Sequence, residues 1–324
     1  MDDPRNMAPA LFSLRGKRVF VAGHKGMVGS ALVRRLAAED CEILTADRTE
    51  LDLRDPSAVD RWMKDRRPDA LFLAAAKVGG IHANSSLPAD FIADNLAIQQ
   101  AVIMAALAHD VEKLLFLGSS CIYPRLAPQP IPEEALLTSP LEPTNQWYAI
   151  AKIAGLKLCE AIRIQHGRDF ISAMPTNLHG PGDSYDPEHS HVAAALIRRI
   201  HVAKEQGAES VTIWGTGQPR REFLHVDDAA DALTFLMAHY SGDMHVNVGC
   251  GEDVSILELA RMIASISGYE GRIETDPSRP DGTPRKLLDI SRIRNLGWAP
   301  RLTTREGLAQ TYEAFVRERP DLRN

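Results

Sequence analysis

Tyr148 and Lys152 stand four residues apart in the run YAIAK, 148–152. On a helix that spacing puts both side chains on one face. A phenol titrates at about 10, too high for proton transfer at neutral pH. A neighbouring ammonium favours the phenolate, so Lys152 is expected to bring Tyr148 down and could also hold a nicotinamide ribose. Ser119 follows the apolar run 113–117 and can donate a hydrogen bond to a carbonyl oxygen that Tyr148 then protonates. Upstream, Gly23, Gly26 and Gly29 recur every third residue. Such glycines let the backbone turn tightly and approach a pyrophosphate, while a helix start supplies amide donors. A turn that merely needs glycine would read the same way. Its place between a first strand and a first helix favours dinucleotide binding through Gly23, His24, Lys25, Gly26, Met27, Val28 and Gly29.

About 20 residues further on, Asp47 and Arg48 are adjacent. An acid there would bind a ribose 2′-hydroxyl and select NAD; an arginine fork would pair with the 2′-phosphate of NADP. The arginine is preferred here, so NADP(H) is expected ahead of NAD. Asp52, next to Leu53, could hydrogen-bond the adenine edge or cap the helix that begins near Pro56.

These residues need elements to position them. Strands are expected at 17–22, 42–45, 70–74, 113–117 and 170–174, and helices at 27–38, 56–65, 90–109 and 146–166. The alternation implies an α/β fold: a Rossmann-type doubly wound parallel sheet with helices on both faces. The strands are nearly all apolar, as expected when both faces are covered. After Pro175 the pattern changes, with helices at 191–204, 256–267 and 304–316 and only short strands. This implies a smaller α/β C-terminal substrate domain. The cofactor domain is placed at 15–178 plus about 222–249, the substrate domain at about 179–221 plus 250–324, and a flexible extension at 1–14. The site should be the cleft between the two domains.

Composition sets outer limits. The chain has 324 residues, 44% hydrophobic and 25% charged, with a formal net charge of −6. That suits a globular protein long enough to fold without staples and argues against a dedicated nucleic-acid binder. The four cysteines form no C-x-x-C pair, so no zinc or redox motif is expected and no metal. No uninterrupted apolar run of about 18 residues occurs, and the acidic start is unlike a secretory signal. A cytoplasmic location is the expectation.

Several blocks in order resemble one family: 23–30 (GHKGMVGS), 74–81 (AAAKVGGI), 114–124 (LLFLGSSCIYP), 141–155 (LEPTNQWYAIAKIAG), 174–180 (MPTNLHG), 221–228 (REFLHVDD) and 280–289 (PDGTPRKLLD). They resemble the short-chain dehydrogenase/reductase superfamily in its extended, nucleotide-sugar-modifying branch, and within it the GDP-L-fucose synthases. The resemblance runs from about residue 16 to the C-terminus. It implies NADPH-dependent 3,5-epimerisation and 4-reduction of GDP-4-keto-6-deoxy-D-mannose. It implies Cys121 and His191 as the epimerisation pair, beside Ser119, Tyr148 and Lys152. Leu117, Gly118, Ser120, Pro175, Thr176, Asn177, Leu178 and His191 would line the cofactor. Arg199, Trp214, Arg221 and Asp281 would grip the GDP-sugar, with Lys286 assisting. A homodimer through the helices at 90–109 and 146–166 is the family expectation. His179 departs from the pattern, standing where a tyrosine is common. Two other readings stay open: another nucleotide-sugar 4-epimerase or reductase of the superfamily, and a non-catalytic NAD(P)-sensing regulator.

Overall fold

The computed structural model describes residues 9–80, 84, 86–187, 190–279 and 281–318. Residues 1–8 of the expected extension, and Ile81 and Pro280 of the quoted blocks, lie outside the described residues. In chain order the first half runs β1 (Arg18–Ala22), α1 (Met27–Leu36), β2 (Glu42–Leu44), α2 (Pro56–Arg66), β3 (Ala70–Leu73), α3 (Pro88–Ala108), β4 (Lys113–Leu117), α4 (Gln146–His166) and β5 (Asp169–Pro175). Then follow β6 (Asn177–His179), α5 (Val192–Glu205), β7 (Ser210–Trp214), β8 (Arg220–His225), α6 (Val226–His239), β9 (Val246–Val248), β10 (Asp253–Ser255) and α7 (Ile256–Ser267). Last come β11 (Arg272–Asp276), β12 (Arg285–Lys286), α8 (Ser291–Asn295) and α9 (Thr304–Glu318).

A six-stranded parallel sheet has the order β2-β1-β3-β4-β5-β9. The direction of winding reverses between β1 and β3, so a crevice opens beyond their carboxyl ends, where open α/β sheets bind ligands. Every position of β3 and β4 is buried, because helices cover both faces. A second sheet runs β10-β8-β12 with β6 added to β8, and β11 pairs with β7. A second core gathers around it from α5, α7 and α9, including Ile197, Ile200, Leu259, Ile263 and Phe315.

The observed division differs from the expected boundaries. Asn177–His179 and Arg220–His225 pair with each other, and within them Leu178 packs against the first core and Leu224 is buried in it. Leu288, Ile290, Ile293 and Trp298, expected on the substrate side, are buried in the first core. The described end of the expected flexible extension is tied down. The Leu11 and Phe12 amides both donate to the Ala238 carbonyl, and Leu14 is buried. Helix α3 is long and apolar enough to cross a membrane by length and composition, despite its broken apolar run. Yet Phe91, Asn95, Gln99, Val102 and Ala106 are buried inside the protein.

Candidate active site

The turn after β1 is built from close approach. Gly23 has φ +90°, and a Cβ there would lie 2.7 Å from the backbone of Ala75, at the end of the neighbouring β3. Only glycine lets the two strand ends close up at the crevice. Helix α1 then begins at Gly26 with no side-chain cap and no acidic residue in its first turn. Its first amides therefore have no intrahelical partner and face the crevice with the positive end of the helix dipole.

One cavity of about 2040 Å³ opens from this point. All the site residues expected from sequence line it: the glycine turn, Arg48, Asp52 and Leu53, the 117–121 turn, Tyr148 and Lys152, 175–178, His191, Arg199, Trp214, Arg221 and Asp281. Cys121 and Ser119 come from the turn after β4, on the first core. His191 comes from the start of α5, on the second. The cavity is therefore bounded by both cores.

Lys152 does not sit as the spacing suggested. Its Nζ donates to the Leu117 carbonyl at 2.7 Å and lies 5.8 Å from the Tyr148 ring centroid. Burial pulls its pKa down to about 7. Tyr148, expected to be lowered by it, is instead raised. Burial contributes most, then the neighbouring Cys121, against a smaller opposing hydrogen bond with Ser119. The phenol is thus held in its protonated form at neutral pH, with a proton available to give. His191 is exposed at its surface, and partial desolvation by the cavity wall it lines lowers its pKa. His191 occupies the N-cap position of α5, yet its side chain makes no capping bond.

Cys121 is met by donors. Asn145 Nδ2 lies 3.5 Å from its Sγ and Lys286 Nζ 3.7 Å. Asn145 stands at the N-cap of α4 but does not cap it; its amide serves the cysteine instead. A thiolate at Cys121 would face an ammonium and an amide. The other cysteines sit in environments that keep the thiol neutral: burial pushes Cys159 and Cys250 up to about 12 and raises Cys41. The role of Asn145 was not legible in sequence, because its contact with Cys121 is made across space.

The cofactor end carries a graded set of charges. Asp47 accepts from Lys25 Nζ at 3.0 Å and from Thr49 and Glu50, which together hold it well below the carboxylate range. Among the described residues no carboxylate pairs with Arg48. The acid that would select NAD is therefore occupied, and the arginine that would take a 2′-phosphate is open. Asp52 does not cap α2; Asp55 does, accepting from Ser57 and Ala58. Lys77 is paired with Asp90 at 3.0 Å and Asp94 at 3.1 Å. Asn177 Nδ2 donates to the Glu222 carbonyl, fixing the 175–178 segment to β8.

Arg221 has no carboxylate partner among the described residues; its Nη1 donates to the Arg220 carbonyl at 2.8 Å, Cys121 lies within electrostatic reach, and burial lowers it. A half-buried guanidinium left unpaired suits a phosphate group. Trp214 could have been core; it is 66% exposed and lines the cavity. Asp281 accepts from the Thr216 amide and hydroxyl at 2.9 and 2.7 Å, tying the loop after β7 to the loop before β12. Arg199 Nη1 donates to the Thr212 carbonyl. His179 is fully buried, with Nδ1 on Thr311 Oγ1 at 2.8 Å; burial and His225 lower it to about 3. It therefore supports packing rather than the cavity wall.

Comparisons with known proteins give the chain's relatives. The model of the NAD dependent epimerase/dehydratase family matches residues 19–249. GDP-L-fucose synthase 1 of Arabidopsis thaliana is 57% identical over 304 residues, covering 94% of each chain. GDP-L-fucose synthase of Escherichia coli K12 is 54% identical over 310 residues, covering 93% of this chain and 97% of its own. Among solved structures, the GDP-mannoheptose C4 reductase of Campylobacter jejuni, with NADP bound, superposes with a TM-score of 0.85 at 36% identity. It covers 93% of this chain and 98% of that one.

Proposed function

This chain belongs to the NAD dependent epimerase/dehydratase family, and from that membership we infer its reaction. It is an NADP-dependent enzyme that makes GDP-L-fucose by 3,5-epimerisation and 4-reduction of GDP-4-keto-6-deoxy-D-mannose. The observation that carries this is one cavity lined by Tyr148 beside Ser119, a cysteine faced by donors and a guanidinium with no carboxylate partner among the described residues.

The residues fit NADP(H). The α1 amides would take the pyrophosphate, Arg48 the 2′-phosphate, and Lys152 the nicotinamide ribose. When bound, the cofactor supplies hydride to C4 of the sugar. Cys121 and His191 are proposed to exchange protons at C3 and C5, which the 4-keto group acidifies. A thiol and an imidazole can each take up a proton and return one, as that exchange requires. Ser119 and Tyr148 would stabilise the O4 negative charge that develops as each proton leaves. Tyr148 then gives its proton to O4. Arg221 and Arg199 would hold the diphosphate, and Trp214 would offer the guanine an aromatic face.

The test is NADPH absorbance with GDP-4-keto-6-deoxymannose, paired with deuterium uptake at C3 and C5 in heavy water. Wild type should oxidise NADPH, and Cys121→Ser should lose uptake by about 100-fold or more. No oxidation by wild type would overturn the reaction, and unchanged uptake in Cys121→Ser would overturn its role as base.

We also propose a homodimer through α3 and α4. Their outer faces expose Met104, Trp147, Ile150 and Ile164, an apolar surface suited to a four-helix contact.

A further inference from the structure

Arg54 was not among the residues expected to bind cofactor, yet it lines the cavity beside Asp52. It holds both carboxylate oxygens of Asp52. Its backbone amide and Nε donate to Oδ1 at 3.0 Å each, and Nη2 donates to Oδ2 at 2.7 Å. This grip holds Asp52 down to about 2. The remaining guanidinium nitrogen, Nη1, reaches Asp94 on α3 at 3.3 Å, and Asp94 is itself paired with Lys77. Asp47 is closed off in the same manner by Lys25.

The end of the cavity thus consists of satisfied ion pairs around one open guanidinium, Arg48. Arg48 lies within electrostatic reach of Asp52. An Asp52 released from Arg54 would be the natural partner for Arg48, and its charge would oppose a phosphate carrying up to two negative charges.

We infer that Arg54 sets coenzyme choice without touching the coenzyme: it sequesters Asp52 and so leaves Arg48 free for the 2′-phosphate. Arg54 is a positioning residue. This rests on Arg48 as the 2′-phosphate ligand, as argued above.

The experiment measures dissociation constants of NADP⁺ and NAD⁺ by calorimetry on the full chain, so it does not depend on the sugar substrate. Arg54→Ala should weaken NADP⁺ about five- to ten-fold while changing NAD⁺ by less than about two-fold. Asp52→Asn in the Arg54→Ala background should restore most of the lost preference, because the released carboxylate is then gone. Equal weakening of both coenzymes by Arg54→Ala, or failure of the double variant to recover, would overturn the inference. Arg48→Ala is the control on its premise. If that variant leaves the preference unchanged, the assignment of Arg48 falls. If it abolishes the preference while Arg54→Ala does not move it, only the role of Arg54 falls.

Discussion

Lys152 carries an ammonium that would titrate at about 10.5 in water. Here it is 3% exposed, with the Leu117 carbonyl as its hydrogen-bond partner. Between pH 7 and 10 the unfolded chain keeps this proton and the folded chain releases it. Protonation therefore penalises folding at and below neutrality, and the penalty disappears as pH rises through that window. Lys152→Met removes the titration. Without cofactor, wild type should gain on the order of 2–4 kcal/mol relative to Lys152→Met between pH 7 and 10, read by urea denaturation. Parallel pH curves for the two proteins would refute it. The same variant should be inactive, because nothing then holds the ribose. A site that keeps this lysine accepts instability at working pH in exchange for a group that can bind cofactor oxygen.

At the scale of elements, much was legible, and the exceptions have causes. Helix α4 runs from Gln146 to His166 as expected, because Gly167 takes the left-handed C-cap that ends it. Helix α7 runs from Ile256 to Ser267, fixed by a capping box between Ser255 and Glu258 and by Gly268 in the left-handed conformation. Helix α3 starts two residues earlier than expected, at Pro88, which its ring geometry suits to a first turn. The second sheet was not legible. Its strands Asn177–His179, Asp253–Ser255 and Arg285–Lys286 are two or three residues long and meet from distant parts of the chain. Strands so short carry no period. The same holds in the site. Glycine turns and the Tyr148–Lys152 pair announce themselves locally, whereas Asn145 on Cys121 and Arg54 on Asp94 depend on what folding brings together. The outer faces of α3 and α4 are apolar at Met104, Ile150 and Ile164. If the dimer proposed above forms, Ile150→Glu with Ile164→Glu should convert it into a monomer in sedimentation, with unchanged helical circular dichroism. A variant that still sediments as a dimer would place the interface elsewhere.

Across the whole molecule, Asp231 on α6 joins three separate segments. It is 9% exposed and accepts from Arg35 Nε on α1 at 2.7 Å, Trp298 Nε1 at 3.1 Å and Arg301 Nη2 at 3.2 Å. Asp228, one turn earlier, accepts the Arg301 and Leu302 amides just before α9. Asp231→Ala leaves these donors without their acceptor, and should cost about 2–4 kcal/mol in urea denaturation. A loss under about 0.5 kcal/mol would show that the segments are held by packing alone. Glu222 makes a comparable joint between the lobes, accepting from the Gly251 amide at 2.6 Å and the Leu288 amide at 3.1 Å.

The path of the chain also bears on how such a protein can change its sugar. The polypeptide leaves the first core after Leu178, returns by Leu224, leaves again at Asp253 and comes back by Leu288 before α9 closes the second core. No single recombination point separates the lobe built on the first core from the lobe built on the second. A new specificity cannot be acquired by grafting a foreign module in one cut. It has to be acquired in place, through substitutions at cavity-lining positions such as those proposed above to hold the sugar nucleotide, while the interleaved scaffold is inherited whole.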